Sequence, residues 1–244
     1  MSRSARTVLS TLGIVLLAAG ALSGCATAID AGGTPSGSSA PDVPLATDLE
    51  LDAVWLDGGR TIGLVTQGSS TCVPTAGDAT FANGVIDVTF VEPAEDTACT
   101  RDMVPRVTLV ATPEGVDPTQ DVEITVTGEG YAGDTDLDGV AGLAVGGETD
   151  YLPSAGWTGE DGQFVILSWG SSSCAPVLEQ AVASSPSEVT ATFMTPPADQ
   201  VCTMDMAPRG VVAQVADLED DGEVFVTLQG GEFDNIRIPI VGSD

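Results

Sequence analysis

The segment Gly68-Ser69-Ser70-Thr71-Cys72-Val73-Pro74 returns 102 positions later as Gly170-Ser171-Ser172-Ser173-Cys174-Ala175-Pro176. At the same spacing Thr47-Asp48 meets Thr149-Asp150, Trp55 meets Trp157 and Gly128 meets Gly230. One residue is inserted between these blocks. There Phe90 meets Phe193, Pro93 meets Pro196, and Cys99-Thr100-Arg101-Asp102-Met103-Val104-Pro105-Arg106 meets Cys202-Thr203-Met204-Asp205-Met206-Ala207-Pro208-Arg209. Self-similarity at a fixed period marks a duplicated unit. The chain is read as two copies of one domain, residues 45–146 and 147–244.

Each copy reads as short strands. Ile86, Val88 and Phe90 alternate with polar residues, as do Val189, Ala191 and Phe193 in the second copy. Val122, Ile124 and Val126 are matched by Val224, Val226 and Leu228, and Ile62 and Leu64 by Phe164 and Ile166. Ile236, Ile238 and Ile240 close the chain in the same rhythm. A period of two with one polar face describes sheets packed on one side. Gly and Pro punctuate the runs, and no long run has helical period. The expected fold is all-β: two tandem small β-sandwiches, Ig-like or Greek-key, each with one disulfide.

The cysteines fit the repeat. Four of the five fall in equivalent pairs, so Cys72 is expected to join Cys99, and Cys174 to join Cys202. Other pairings are combinatorially open, but only this one respects the duplication. Loops of this size stabilise by roughly 3.5 kcal/mol in the chain-entropy account.

The fifth, Cys25, has a different setting. Residues 1–24 carry two early arginines, Arg3 and Arg6, then an apolar stretch from Val8 to Leu22, then Leu22-Ser23-Gly24-Cys25. The apolar stretch is shorter than the ~20 residues a spanning helix needs, and its layout is that of an export signal. Leu-Ser-Gly-Cys resembles the bacterial lipobox. Lipidation at Cys25 is expected, with attachment to the extracytoplasmic face of the membrane. Residues 25–44, rich in Gly, Ser, Ala and Pro, read as a flexible tether.

Charge narrows the partners. The chain has 36 acids against 7 bases, and no His. Lys is also absent. A surface this anionic repels nucleic acid. The Gly-Ser-Ser segment could suggest a serine nucleophile, but activation needs a neighbouring base, and His and Lys are missing. Asp102 with Arg106, and Asp205 with Arg209, read as turns in which the Asp caps backbone amides and the Arg pairs with it or covers the sheet edge.

Asp134-Thr135-Asp136-Leu137-Asp138-Gly139 resembles the first half of a calcium loop. Position twelve is Val145 rather than Glu, so Asp134, Asp136 and Asp138 are candidates for low-affinity Ca2+ binding only. No other cofactor is expected. Trp55 and Trp157 are equivalent and read as core. Trp169 faces Gln67 in the first copy and is the candidate ligand contact.

The pattern Gly-Ser-Ser-x-Cys-x-Pro followed by Cys-Thr-x-Asp-Met-x-Pro-Arg resembles a domain of uncharacterised actinobacterial secreted proteins and lipoproteins. The resemblance covers both copies and implies an envelope location, not a chemistry. The expected role is non-enzymatic binding or scaffolding, with a protein or envelope polymer as partner. The alternative is an extracellular hydrolase working through paired carboxylates.

Overall fold

A computed structural model describes residues 47–216, 218 and 222–243. The expected export signal, Cys25 and the whole of the expected tether lie outside these residues, as do Asp217, Glu219, Asp220 and Asp221. The first half contains β1 (Thr47–Asp48), β2 (Leu51–Leu56), β3 (Thr61–Gly68), β4 (Thr75–Ala76), β5 (Thr80–Ala82), β6 (Val85–Val91), β7 (Val104–Ala111), β8 (Val122–Gly128) and β9 (Tyr131–Leu137). The second contains β10 (Ser154–Trp157), β11 (Gln163–Gly170), β12 (Leu178–Ser185), β13 (Glu188–Phe193), β14 (Ala207–Gln214), β15 (Phe225–Gly230) and β16 (Phe233–Val241). Among the described residues the only helical piece is a 3-10 turn at Asp57–Gly59.

The alternation in sequence decides which faces are buried. Strand β6 runs with Ile86, Val88 and Phe90 buried and Asp87, Thr89 and Val91 exposed. In the first half β2-β3-β7 forms one sheet, and β1-β9-β8-β6-β4, with β5 also on β6, forms another. Trp55, Ile62 and Leu64 from the first sheet meet Ile86, Phe90, Ile124 and Val126 from the second in one core. The second half repeats this plan. Trp157, Phe164 and Ile166 meet Val189, Phe193, Val226 and Leu228. Here β10-β11-β14 and β12-β13-β15-β16 join edge to edge through β10 and β16, at Ala155 with Ile240 and Gly156 with Val241. Ile240 is buried and Ile238 half-buried as expected, but Ile236 is exposed.

The expectation of two tandem small β-sandwiches, Ig-like or Greek-key, is corrected by the first of two findings. First, each half contains a coil. The chain leaves along β6, crosses to the facing sheet as β7, and returns as β8 beside β6 and parallel to it. Strands β13, β14 and β15 do the same, with β13 and β15 parallel. Parallel neighbours need a crossover. Here the crossover is a strand of the facing sheet, which is the local geometry of a β-solenoid and not of an all-antiparallel Greek key.

Second, the halves are stacked into one compact unit. Val54, Leu56, Val65 and Val107 of the first half pack against Val165 and Leu167 of the second in a third core cluster. The sheets β2-β3-β7 and β10-β11-β14 are therefore buried on both faces. That explains the unbroken run Phe164-Val165-Ile166-Leu167, buried throughout. A strand covered on both sides has no polar face to alternate with.

The stacking uses unequal residues at equivalent positions. Val54 and Gly156 correspond in the two copies, and they touch. A Cβ on Gly156 would lie 2.5 Å from Val54 Cγ2 and 2.5 Å from the Trp55 carbonyl oxygen. Val107 and Gly210 also correspond. A Cβ on Gly210 would lie 2.6 Å from Val107 Cγ1. Each valine of the first half seats on the bare backbone of its own counterpart. Polar ties flank this seam. The Asp57 amide donates to Ser154 Oγ at 2.9 Å, and Thr149 Oγ1 donates to Asp57 Oδ1 at 3.1 Å.

Candidate functional site

The repeated motif builds the same polar knot at one end of each half. Both expected disulfides form, Cys72–Cys99 and Cys174–Cys202, with Cα–Cα distances of 5.4 and 5.6 Å. In the first half Asp102 Oδ1 accepts from the Ser70 amide at 3.2 Å and from the Thr100 hydroxyl. In the second half Asp205 Oδ1 accepts from the Ser172 amide at 3.0 Å and from the Thr203 hydroxyl. Hydrogen bonds from Ser70 and then Thr100 hold the Asp102 carboxyl down to about 2. Ser172 and Thr203 lower Asp205 in the same way. The hydroxyls of Ser69 and Ser70 are engaged with that of Thr100, and those of Ser171 and Ser172 with that of Thr203.

The arginines do not take the first of their two expected roles, pairing with the Asp. Neither pairs with the Asp four residues before it. Arg106 donates to the Cys72 carbonyl and, at 3.1 Å, to the Tyr131 hydroxyl. Arg209 donates to the Cys174 carbonyl and the Trp169 carbonyl, each at 3.0 Å, and forms an ion pair with Glu232. Each arginine clamps the chain entering the disulfide. Glu232 has Gly130 as its counterpart in the first half, so this ion pair belongs to the second copy alone.

What surrounds the knot is not repeated. Beside Cys174–Cys202 lies a recess of about 330 Å³, walled by Pro176, Val177, Met194, Pro196 and Pro197, with Arg209 and Glu232 at one side. Val177, Met194, Val201, Met204 and Met206 are exposed at this end, Val201 to 90%. Their counterparts in the first half are Thr75, Val91, Ala98, Arg101 and Met103. The loop 194–206 of the second half was read from sequence only for its share in the repeat. Its signal was available: three of the chain's five methionines lie there.

Two further recesses lie where the halves meet. One, of about 410 Å³, gathers Glu50, Asp52 and Glu160 with Thr66, Gln67 and Gln163. Burial, then the charges of Glu160 and Glu50, pushes the Asp52 carboxyl above its usual range. Sequence reading missed these three acids because they are brought together across the two copies. The other recess, of about 260 Å³, is bordered by Trp55, Trp157, Asp136 and Asp138. Both tryptophans are buried core residues, as expected, and Trp55 Nε1 donates to the Asp138 carbonyl at 2.9 Å.

Asp134 and Asp136 lie on β9, a strand and not a loop, and Asp138 follows its end. An extended segment does not curl alternate oxygens about one centre as a calcium loop does. In register, Asp134 stands opposite Thr125, while the equivalent Thr227 faces Arg237. Among the described residues no group of three or more His, Cys, Asp or Glu is arranged to hold a metal. Trp169, the candidate ligand contact, packs on the third core cluster between the halves and meets Tyr151 edge-on at 5.2 Å. Its indole N–H is buried with no partner among the described residues.

No family model, no curated protein and no solved structure matches the chain.

Proposed function

We propose that the chain is an envelope lipoprotein, lipidated at Cys25 and held at the extracytoplasmic face of a membrane, whose stacked β repeats bind a partner without catalysing a reaction. The resemblance of its repeated motif to actinobacterial secreted lipoproteins belongs to this reading. So does the finer fold assignment, in which each half is a small sandwich modified by its one coil. The observation that carries the reading is the unequal pair of disulfide ends. The same knot is built twice, and in the second half it displays exposed apolar side chains beside a recess. Large apolar side chains left together on a surface mark an interaction site more often than chance exposure does.

The test is capture from envelope extract by the mature chain and by its Val201→Asp/Met204→Asp/Met206→Asp variant. Capture lost in the variant and kept in Arg101→Asp supports the reading. Equal capture by all three contradicts it. The anchor is tested separately: Cys25→Ala is expected to be released to the medium, and the wild type to carry a lipid mass.

The recess of Glu50, Asp52 and Glu160 favours a second reading, a hydrolase acting through paired carboxylates. A carboxyl raised above its usual range beside other carboxyls is a group such chemistry uses as its acid. Hydrolysis of a soluble wall polysaccharide by the purified chain, lost in Asp52→Asn, would support it.

A further inference from the structure

We infer that the apolar end of the second half docks a protein segment whose apolar side chains are flanked by Lys or Arg. This rests on the binding role proposed above and names the partner's chemistry. The recess beside Cys174–Cys202 offers proline, valine and methionine walls. Methionine is unbranched and polarisable, and shapes itself to a partner's side chains. The loop bearing Val201, Met204 and Met206 is fixed by the disulfide and by the Asp205 knot, so the exposed side chains stand on an ordered support.

Charge selects the partner. Acids are interleaved with the apolar residues, Asp199 before Val201 and Asp205 between Met204 and Met206, while Glu232 at the recess is balanced by Arg209. The second half holds only two bases, Arg209 and Arg237. Arg209 is 6% exposed and paired with Glu232, and Arg237 is paired with Glu188. Both positive charges are already engaged. A partner with basic flanks meets complementary charge here, which speeds encounter and fixes register. An acidic partner, an anionic leaflet or a second copy of this chain, with its net charge of −29, meets repulsion. The first half supplies the internal contrast. Val91 and Met103 are also exposed in the first half, but there Arg101 and Ala98 stand in sequence where the second half has Met204 and Val201.

The methionines make the test direct. The full mature chain is labelled with 13C at the methionine methyls, giving signals from Met103, Met194, Met204 and Met206. The probe is a 14-residue amphipathic Leu/Lys peptide, with a Leu/Glu peptide of the same pattern as its counterpart. The Leu/Lys peptide is expected to shift Met194, Met204 and Met206 saturably and to leave Met103 in place. Val201→Ser/Met204→Ser, which removes the apolar side chains without adding charge, is expected to weaken binding at least tenfold, with the remaining methyl spectrum unchanged. Uniform movement of all four signals would overturn the inference as general attraction between opposite charges. Equal shifts with the Leu/Glu peptide would overturn the partner's chemistry and leave the binding role standing. Silence with both peptides would overturn both. Shifts with phosphatidylglycerol vesicles alone would assign this end to a membrane, and broadening with protein concentration alone would assign it to a second copy.

Discussion

The two disulfide ends share a frame and differ in what the frame displays. Asp102 and Asp205 accept from the same amide and hydroxyl positions, and Arg106 and Arg209 clamp the same carbonyl. Around them Arg101 becomes Met204 and Ala98 becomes Val201. What both copies keep is therefore scaffold: its hydrogen bonds close on themselves and leave little for a ligand. What one copy alone shows is the better guide to a task. The same holds along the seam, where Val54 and Val107 of one half meet Gly156 and Gly210 of the other.

The largest effect tests the equality of the frames. Removing either disulfide, by Cys72→Ala/Cys99→Ala or by Cys174→Ala/Cys202→Ala, should cost roughly 3.5 kcal/mol in urea unfolding. The two losses should agree closely, because the loops span 27 and 28 residues. A strongly unequal pair of losses would break the comparison.

Next comes the seam. Gly156→Val places a side chain against the Trp55 carbonyl and Val54, and should cost about 3 kcal/mol by overpacking. The corresponding Val54→Ala in the first half leaves a small void instead, and should cost about 1–2 kcal/mol. Arg209→Met removes donors from the Cys174 and Trp169 carbonyls and should cost about 2 kcal/mol, read as a shift in the denaturation midpoint.

A smaller effect depends on pH. The folded carboxyl of Asp102 titrates near 2 instead of 3.8. Its contribution is complete above 3.8 and is lost as pH falls towards 2. Melting temperature followed over that window should fall less steeply in Asp102→Asn than in the wild type. Asp205→Asn should act in the same direction. Asp52 works oppositely, since its folded carboxyl is raised and protonation favours the fold as pH falls. Smallest of all, Met204→Asp should change stability by under about 0.5 kcal/mol, because that side chain is fully exposed.

Much of this frame was legible in the sequence. The duplication, both disulfides and the inward faces of β6, β8, β13 and β15 follow from spacing and alternation. The seam was only half legible. Phe164 and Ile166 read as inward, yet Val165 between them and Leu167 after them are equally buried. The missing polar alternation there, and at Val54 to Leu56, was the available signal for a sheet covered twice. The parallel pairing of β6 with β8 left no local trace, because it joins strands separated by the whole of β7. The acids Glu50, Asp52 and Glu160 could not be grouped from sequence, since they meet only when the halves stack. The Asp134 pattern reads as a loop in sequence, whereas β9 pairs along β8 and draws the segment out straight.

The central claim is that the halves are one scaffold made to fit itself by unequal residues at matching positions. The Val107 and Gly210 pair tests it most directly, because only side chains crowd Gly210. Thermal unfolding of Val107→Gly, Gly210→Val and the double exchange is the measurement. Each single change should lower stability by about 2 kcal/mol or more, and the double exchange should recover at least half of the summed loss through their coupling. Losses that simply add would contradict the claim.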